Sequence, residues 1–359
     1  MQYIMTTIGL SILTNGLKDI FEPKEIYANS NKQQNDIDKE FLDKFNSGYE
    51  KLKNELLKLD AEKIQKISAE LNALLKFNNF NKKEIHKLLY TDTFLGEKAA
   101  KLIEHYLTYK GQNVSLHKAK DLKTDDIENF HIALSDLVKE LSEELQGYKE
   151  SGYEIIFNLT GGFKSVNSFL QTMASLYADK SLYIFESSHD LLTIPRLPIK
   201  LDDDILVNNI QLFRALELGL KLSKSIKKIP KTLILEIDGE YLLSPWGEMV
   251  WQKVKNRIYK EKLIEPLHKE IIYSKDFIND AKRLNPKELY QLNKNLDKLE
   301  KYMAFKENPK SLNYHYLEGA IAQKYLTEFY PFDGNDSRRV FCNEKDGKII
   351  LEKIGPHLK

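Results

Sequence analysis

Through residues 1–200, short apolar runs alternate with longer stretches in which apolar side chains recur every three or four positions. The short runs predict buried β-strands, and the longer stretches predict amphipathic helices. The predicted strands cover residues 3–8, 86–91, 113–116, 153–157 and 181–186, with an irregular edge strand at 191–201. Strands that alternate with helices form a parallel sheet covered on both faces. We therefore predict an α/β domain with a Rossmann-like parallel sheet for residues 1–205.

Two polar, glycine-bearing segments are predicted to follow strands of this sheet. One is residues 9–16, Gly-Leu-Ser-Ile-Leu-Thr-Asn-Gly, and the other is residues 158–164, Asn-Leu-Thr-Gly-Gly-Phe-Lys, which lead into a helix. Ligands of parallel sheets bind at the carboxyl ends of the strands, where both segments are expected. The turn at 160–162 also points backbone N–H groups and a helix dipole at one place, which suits a phosphate. The alternative is that Thr160 merely caps a helix and the glycines serve the turn.

The two segments resemble the paired motifs of the CARF domain (CRISPR-associated Rossmann fold), and the dinucleotide fingerprint Gly-x-Gly-x-x-Gly is absent from both. The resemblance implies a two-fold homodimer that binds a cyclic oligoadenylate across its axis. Cyclic tetra-adenylate would then be the activator, with no other cofactor. By the same resemblance, the ligand contacts come from Gly9, Ser11, Thr14, Asn15, Asn158, Thr160, Gly161, Gly162 and Lys164. The amphipathic helices predicted at 36–76 have no assigned place in this family.

Residues 206–268 carry a different pattern, a helix, a hairpin and a second helix. An amphipathic stretch at 210–222 comes first, and an Asp-Gly pair at 238–239 between two apolar runs is a strong hairpin signal. A Ser-Pro pair at 244–245 then starts a helix with two tryptophans. We interpret this part as a small winged-helix-like connector that relays or reinforces dimerisation. The alternative is that the winged element binds DNA.

Residues 269–359 are predicted to form an α+β domain. Apolar side chains at helical spacing predict two amphipathic helices from residue 271 onward, divided at Asn285-Pro286. Short strands follow at 324–332, 337–343 and 348–354, joined by turns at 333–336 and 345–347. Helices followed by an antiparallel meander leave one face of the sheet uncovered by its own strands.

The motifs of this last part resemble those of the RelE-like toxins, which are messenger-RNA endonucleases that work on the ribosome. The matching pieces are Leu284-Asn285-Pro286, His315-x-Leu317-x-Gly319, the strand Arg338-Arg339-Val340-Phe341 and the ending at 350–357. The resemblance implies cleavage without a metal, in which an RNA 2′-hydroxyl attacks its own phosphate. That reaction needs a proton acceptor, a proton donor and cations for the phosphorane. His315 itself is interpreted as a structural loop residue.

Candidate catalytic residues follow from the same resemblance. Arg339 matches the family's phosphate-stabilising arginine, and Arg338 lies beside it. His357 takes the position of a proton-transferring residue. Side chains alternate across a strand, so only one of the two arginines can face the site. Lys324 and Tyr330 are the nearest substitutes for the family's paired lysines, which leaves the general base open.

Composition limits the remaining classes of function. With 42% hydrophobic and 30% charged residues, the chain is expected to be a soluble folded protein. Its formal charge is +1, so contacts with nucleic acid must come from local patches. A single cysteine, Cys342, excludes an internal disulfide, and no apolar stretch approaches the ~20 residues of a membrane helix. We expect a cytoplasmic protein without a membrane contact, and the spacing of His, Asp and Glu predicts no metal site.

Together the CARF and RelE-like resemblances imply a CRISPR-associated endoribonuclease that a cyclic oligoadenylate activates and that cuts ribosome-bound messenger RNA. The predicted partners are the cyclic oligoadenylate, the ribosome-bound message and a second copy of the chain. Two alternatives stay open. One is a ligand-sensing transcription regulator that binds DNA through the connector. The other is a ring nuclease, in which the CARF part degrades the cyclic oligoadenylate.

Overall fold

The structure is a computed structural model that describes residues 1–120, 127–162, 164–185, 190–198, 202–221, 226, 229–332 and 336–357. The chain divides into two compact units, Met1–Lys200 and Leu201–Lys359. Phe163, the turn predicted at 333–335 and the ends of predicted segments at 186, 199–201 and 222 lie outside the described residues. Among the residues described, no helix has the length and apolar character needed to cross a membrane.

The first unit alternates strands with helices, as its apolar periodicity predicts. Its strands are β1 (Gln2–Thr7), β2 (Ile85–Thr91), β3 (Asn113–Ala119), β4 (Glu154–Asn158), β5 (Lys180–Ile184) and β6 (Leu191–Pro195). Its helices are α1 (Ser11–Gly16), α2 (Pro23–Tyr27), α3 (Lys39–Leu56), α4 (Ala61–Ile67), α5 (Ala69–Phe77), α6 (Phe94–Tyr109), α7 (Ile127–Glu150) and α8 (Lys164–Tyr177), with a short 3-10 turn at Gln34–Asp36. The helical pattern predicted at 36–76 is confirmed as α3, α4 and α5.

The described strands of this unit form a six-stranded sheet in the order β3-β2-β1-β4-β5-β6. Neighbouring strands are parallel except β6, which runs antiparallel to β5 along one edge. This confirms the predicted α/β class and is consistent with a Rossmann-like domain. The strand order changes direction between β1 and β4, and Thr6 pairs with Asn158. The carboxyl ends of these two strands therefore lie side by side.

Helices cover the sheet and share one apolar core with it. Ile4 of β1, Leu88 of β2 and Leu102 of α6 are fully buried in this core. Phe45 of α3 and Leu71 of α5 belong to the same buried cluster. The helices between β1 and β2 are therefore part of the domain core and not an appendage on its surface.

The structure corrects the prediction of a polar loop at residues 9–16. The irregular stretch ends at Leu10, and α1 begins at Ser11. Ile12 and Leu13 are fully buried, so a helical turn directly after β1 removes both side chains from water. Thr14 is also buried, and its hydroxyl donates to the Ser11 carbonyl at 3.2 Å. The polar surface at this end of β1 is consequently smaller than predicted.

The second unit begins with the helix, hairpin and helix that its sequence predicts. Its helices are α9 (Asp204–Val207), α10 (Ile210–Leu218), α11 (Pro245–Glu261), α12 (Lys275–Ala281) and α13 (Pro286–Phe305), with 3-10 turns at Lys231–Leu233 and Gly319–Gln323. Its strands are β7 (Ile234–Ile237), β8 (Glu240–Leu243), β9 (Ile271–Tyr273), β10 (His315–Tyr316), β11 (Thr327–Phe329), β12 (Arg338–Lys345) and β13 (Lys348–Pro356). β7 and β8 pair as a hairpin, and Asn285 caps α13 at the predicted boundary.

The described strands β9 to β13 form a five-stranded sheet in the order β10-β11-β12-β13-β9. β9 is parallel to β13, so the predictions of a helix from residue 271 and of a purely antiparallel sheet are wrong. Ile271 is buried whereas Ile272 is 37% exposed, which is the alternation of a strand. The strand predicted at 324–332 is shorter than expected. β11 covers Thr327–Phe329, so Lys324 lies before it.

A buried ion network joins α10, α11 and α13. The fully buried Arg214 guanidinium donates to Asp297 Oδ1 at 2.7 Å, and Asp297 Oδ2 accepts the Tyr259 hydroxyl at 2.7 Å. Lys255 Nζ lies 3.5 Å from Asp297 Oδ2 and bonds to both oxygens of Glu217 at 2.8 Å. Because each buried charge has an opposite partner, the cost of removing it from water is offset. The network therefore fixes the connector helices to the helix that precedes the last strands.

Replacing Arg214 with Met should destabilise the second unit by about 3–5 kcal/mol, because Asp297 would keep a buried charge without its guanidinium partner. Both tryptophans of the chain lie in α11, so their fluorescence during urea unfolding reports this unit. The half-exposed Arg257, paired with Asp203, provides the control, and Arg257→Met should cost less than about 1 kcal/mol. Equal small losses for the two variants would contradict the importance of the buried pair.

Candidate functional site

The two predicted ligand segments of the first unit lie in contact at the ends of β1 and β4. Thr7 Oγ1 donates a hydrogen bond to the Gly161 carbonyl at 2.7 Å. A Cβ atom on Gly9 would come within 2.7 Å of the Gly162 amide nitrogen, so a side chain there would collide with the opposite turn. The strand order thus brings the segments together at the edge where parallel sheets bind ligands. Their role as a ligand site stays a prediction.

The place between these segments is occupied by the carboxylate of Glu70, which belongs to α5. Glu70 Oε1 accepts the Gly9 N–H at 2.7 Å, and Oε2 accepts the Ser11 and Ser68 hydroxyls at 2.9 Å and 2.8 Å. A Cβ atom on Gly161 would lie 1.9 Å from Oε1, so a side chain there would displace the carboxylate. Glu70 is fully buried. Donors that the resemblance assigns to a ligand therefore bind an acidic side chain of the same chain.

Other predicted ligand contacts are also bonded to the segment that carries Glu70. The Asn158 side chain donates to the Glu70 carbonyl at 3.1 Å, and its Oδ1 accepts the Thr160 hydroxyl at 2.9 Å. Asn15 donates to two carbonyls at the end of α4, each at 3.4 Å. Lys164, the first residue of α8, is exposed. The polar side chains along this edge are thus largely satisfied by α4 and α5, which sequence analysis left without a role.

In the second unit, the two faces of the five-stranded sheet differ in character. Phe329, Val340 and Leu351 are fully buried in the core that includes α12 and α13. Residues that alternate with them along the strands face the other way. That opposite face carries His315 of β10, Glu328 of β11, Arg339 of β12 and His357, which directly follows β13.

Three of these side chains converge on one carboxylate oxygen of the fourth, Glu328. Glu328 Oε1 lies 3.3 Å from His357 Nδ1, 3.4 Å from His315 Nε2 and 3.6 Å from Arg339 Nε. The Glu328 side chain is 1% exposed, whereas those of His315 and His357 are 40% and 47% exposed. Within the described residues, Glu328 Oε2 and Arg339 Nε have no hydrogen-bond partner. A buried carboxylate is therefore surrounded by three groups that can carry positive charge.

The Arg339 guanidinium is held in one orientation by its neighbours. It lies over the Tyr330 ring at 4.0 Å from the ring centre. Its Nη1 donates to the backbone carbonyls of Asp336 and Arg338 at 3.1 Å and 2.8 Å. Stacking and backbone bonds of this kind present the guanidinium to a planar or tetrahedral anion at little further entropy cost. In the described part of the chain, no group of three or more His, Cys, Asp or Glu side chains is arranged to hold a metal ion.

Among the predicted catalytic residues, Arg339, His357 and Tyr330 lie together, whereas Arg338 does not join them. Arg338 lies on the opposite face of β12, as alternation along a strand requires. Its Nη2 donates to Asp336 at 2.7 Å and to Glu288 of α13 at 2.6 Å. These bonds make Arg338 a link between the sheet and α13.

Lys324 makes no described contact with the side chains of the cluster, and its Nζ lies 5.4 Å from the Tyr325 ring centre. Its carbonyl accepts a hydrogen bond from Asn343 at 3.4 Å, four residues along β12 from Arg339. Lys353 of β13 is better placed, since it pairs with Phe341 and shares the face that carries Glu328. The structure therefore offers Lys353, and not Lys324, as a further cation beside the cluster.

Sequence analysis missed Glu70 and Glu328 and gave His315 a structural role. Glu328 lies between the buried Thr327 and Phe329, and Glu70 directly precedes the buried Leu71. A lone acid in such a stretch signals a paired or functional carboxylate. His315 could not be placed because β10 is two residues long and its register depends on a partner strand whose ends were mispredicted.

A comparison with protein-family models gives a match for part of the first unit. Residues 65–197 match the model described as CRISPR-associated protein (Cas_APE2256). The match supports a CRISPR-associated protein. It includes Glu70 and the segment at 158–164 and lies within the first unit. Comparison with curated proteins gives no match.

The ion pairs of Arg338 make stability depend on pH. Hydrogen bonds from its guanidinium hold the pKa of Glu288 below the usual value of 4.5 and the pKa of Asp336 below 3.8. A carboxyl group whose pKa is lower in the folded than in the unfolded chain stabilises the fold above its unfolded pKa. That contribution is lost as the pH falls through the folded-state pKa.

Arg338→Gln should therefore lower the free energy of unfolding by about 1 kcal/mol at neutral pH. The difference from the unchanged protein should shrink as the pH falls through the lowered folded-state pKa values of Glu288 and Asp336, because both carboxyl groups then become protonated in both proteins. Tryptophan fluorescence during urea unfolding at about pH 7 and about pH 3 measures the two differences. A loss that is the same at both values would exclude the carboxylates as its source.

Proposed function

We propose that this chain is a CRISPR-associated endoribonuclease, in which the first unit senses a cyclic oligoadenylate and the second unit cleaves messenger RNA on the ribosome. The observation that carries the proposal is the convergence of His315, His357 and Arg339 on the buried Glu328 carboxylate. Two imidazoles, a carboxylate and a guanidinium supply an acid, a base and a cation in one small area. RNA transesterification needs these three functions and no others from the protein.

His357 is the proton acceptor in this mechanism. Its Nδ1 faces Glu328 Oε1, so the proton on Nδ1 points to the carboxylate and Nε2 keeps its lone pair for the substrate. Glu328 is too deeply buried to contact an RNA hydroxyl, and it orients His357 and stabilises the imidazolium that forms. The 2′-hydroxyl proton passes to His357 Nε2 while the 2′-oxygen attacks the adjacent phosphorus.

His315 is the proton donor. Its Nδ1 lies 2.7 Å from the Asn313 carbonyl, and its Nε2 faces the Glu328 carboxylate. Because acceptors face both ring nitrogens, a ring that carries a proton on each nitrogen satisfies both. The half-exposed imidazolium gives its Nε2 proton to the 5′-oxygen as the phosphorus–oxygen bond breaks, and Nδ1 keeps its proton on the Asn313 carbonyl. The products are a 2′,3′-cyclic phosphate and a 5′-hydroxyl.

Arg339 and Lys353 supply positive charge for the phosphate. Arg339 stabilises the phosphorane, because its guanidinium is oriented by Tyr330 and by backbone carbonyls before RNA binds. Lys353, whose Nζ lies 5.8 Å from the Phe341 ring centre, binds a neighbouring phosphate of the same strand. No metal takes part in this proposed route.

The proposed ligand of the first unit rests on the CARF resemblance and on the contact between its two motif segments. The segments meet at the carboxyl ends of β1 and β4, where a ligand of this fold class binds. The match to a CRISPR-associated family covers the second of these segments. We propose a homodimer in which cyclic tetra-adenylate lies across the two-fold axis and activates the ribonuclease.

DNA binding through the connector has less support. Trp251, Val254 and Ile258 of α11 are buried in the core of the second unit, and Lys255 is engaged by Glu217. A recognition helix needs one free face with polar side chains along its middle turns. Degradation of the cyclic ring by the first unit stays a prediction.

Replacing His357 or Arg339 with Gln should lower RNA cleavage by about 10²–10⁴-fold, because the change removes the proton acceptor or the phosphate contact. Glu328→Gln should also lower cleavage, because His357 and its imidazolium lose the carboxylate that orients and stabilises them. The full chain is incubated with translating ribosomes, with and without cyclic tetra-adenylate, and cuts on the message are mapped. Arg283→Gln is the matched control, since Arg283 is 80% exposed and its variant should cut normally. Full activity of Arg339→Gln, or cuts that end in a 3′-hydroxyl, would exclude this mechanism.

The His357 and His315 variants should also differ in how their rates of RNA cleavage depend on pH. General base catalysis by His357 together with general acid catalysis by His315 gives a bell-shaped dependence of the cleavage rate on pH in the unchanged protein. His357→Gln should remove the acidic limb, and His315→Gln should remove the alkaline limb. Profiles measured with saturating RNA test this assignment, and the opposite pattern would exchange the two roles.

A further inference from the structure

Glu70 is a buried carboxylate whose described partners are all neutral. It accepts the backbone N–H of Gly9 and the hydroxyls of Ser11 and Ser68. Among the described residues, no basic side chain forms an ion pair with it. A carboxylate that is 0% exposed loses its hydration, and three good donors replace part of what it loses. These donors therefore form a site that holds an anion.

The backbone around this site leaves room for the Glu70 carboxylate. A Cβ atom on Gly161 would overlap the carboxylate at 1.9 Å, and one on Gly9 would lie 3.4 Å from Oε1. Gly161 thus leaves the space that the Glu70 carboxylate fills, whereas Gly9 is required by its close approach to the Gly162 amide nitrogen. A phosphate oxygen has the same requirement for N–H and O–H donors and for close approach to glycine.

The carboxylate enters this site from the junction between α4 and α5. Residues 66–70 span the end of α4 and the start of α5, and they touch the sheet edge through side-chain hydrogen bonds. Asn15 donates to carbonyls at the end of α4, Asn158 donates to the Glu70 carbonyl, and Ser11 Oγ accepts the Ala69 N–H at 3.0 Å. All three of these sheet-side residues are ones that the CARF resemblance assigns to the ligand. The segment and a ligand therefore compete for the same donors.

We propose that Glu70 is an internal anion that occupies the ligand site of the first unit, and that a phosphate-bearing ligand binds by displacing its carboxylate. This inference rests on the proposed function of the first unit. Exchange of a carboxylate for a phosphate keeps the donors of Gly9 and Ser11 satisfied, so the main cost is separation of residues 66–70 from the edge. A ligand that must first displace the Glu70 carboxylate binds more weakly than it would bind to a site from which the carboxylate is absent. The displacement also moves α4 and α5. Ligand binding acts on the rest of the first unit through this movement.

Glu70→Gln tests the displacement without a change of side-chain size. The amide keeps an acceptor for Gly9 and a donor for the serine hydroxyls, so the fold should be retained. Hydrogen bonds of a neutral acceptor are weaker than those of a carboxylate, and the internal occupant should compete less well. We expect Glu70→Gln to bind cyclic tetra-adenylate, measured by titration calorimetry, about 10-fold more tightly than the unchanged protein. Glu62→Gln, an exposed change on α4, is the matched control and should bind like the unchanged protein.

Inorganic phosphate separates this inference from the proposed ligand. Glu70→Gln should bind phosphate more tightly than the unchanged protein and should shift the amide resonance of Gly9. If phosphate does so but cyclic tetra-adenylate binds neither protein, the anion site stands and the proposed ligand is wrong. If cyclic tetra-adenylate binds both proteins equally and phosphate shows no gain, the ligand stands and displacement of Glu70 is overturned. Hydrogen exchange gives a third reading, since ligand should speed exchange in residues 66–77 of the unchanged protein.

Discussion

Removing an ionised carboxylate from water costs several kcal/mol unless donors or cations replace the lost hydration, and this constraint shapes both units. Glu70, Asp297 and Glu328 are 0%, 4% and 1% exposed. Each collects partners from parts of the chain that are distant in sequence. The partners are Gly9 and Ser11 for Glu70, Arg214 and Tyr259 for Asp297, and His315, Arg339 and His357 for Glu328. Each carboxylate thereby links helices or strands that the apolar core already brings together.

The three carboxylates differ in how fully nearby donors and cations replace their lost hydration. The roles that we propose for them follow that difference. Asp297 has a guanidinium, a phenol and an ammonium group around it, which suits a permanent structural contact. Glu70 has neutral donors that another anion could use equally well. Glu328 has an oxygen, Oε2, without a hydrogen-bond partner in the described part of the chain, and two half-exposed imidazoles lie near its other oxygen. Such incomplete compensation is typical of sites that exchange ligands or protons.

Periodicity was sufficient to predict elements whose burial is decided locally. β1, β4 and the helices at 36–76 follow directly from it, and the alternation of Arg338 and Arg339 across β12 places each arginine on its own face. Periodicity failed to predict the elements and contacts that depend on a partner distant in the sequence. The strand at 271–273 forms because β13 pairs with it, and Glu70 reaches its site because α4 and α5 fold back onto the sheet edge. Neither pairing leaves a local pattern, since the two partners are far apart along the chain.

The position of β1 has a consequence for how the protein is made. Ile4 pairs with His86 on one side and with Ile156 on the other, so the strand made first lies in the middle of the sheet. Pairings between residues so distant in sequence form slowly, because the loop between them must close first. Until β4 has been synthesised, β1 is an apolar strand with a free edge that can pair with another nascent chain. The interval between synthesis of β1 and synthesis of β4 is therefore the period in which the nascent first unit is most exposed to mispairing.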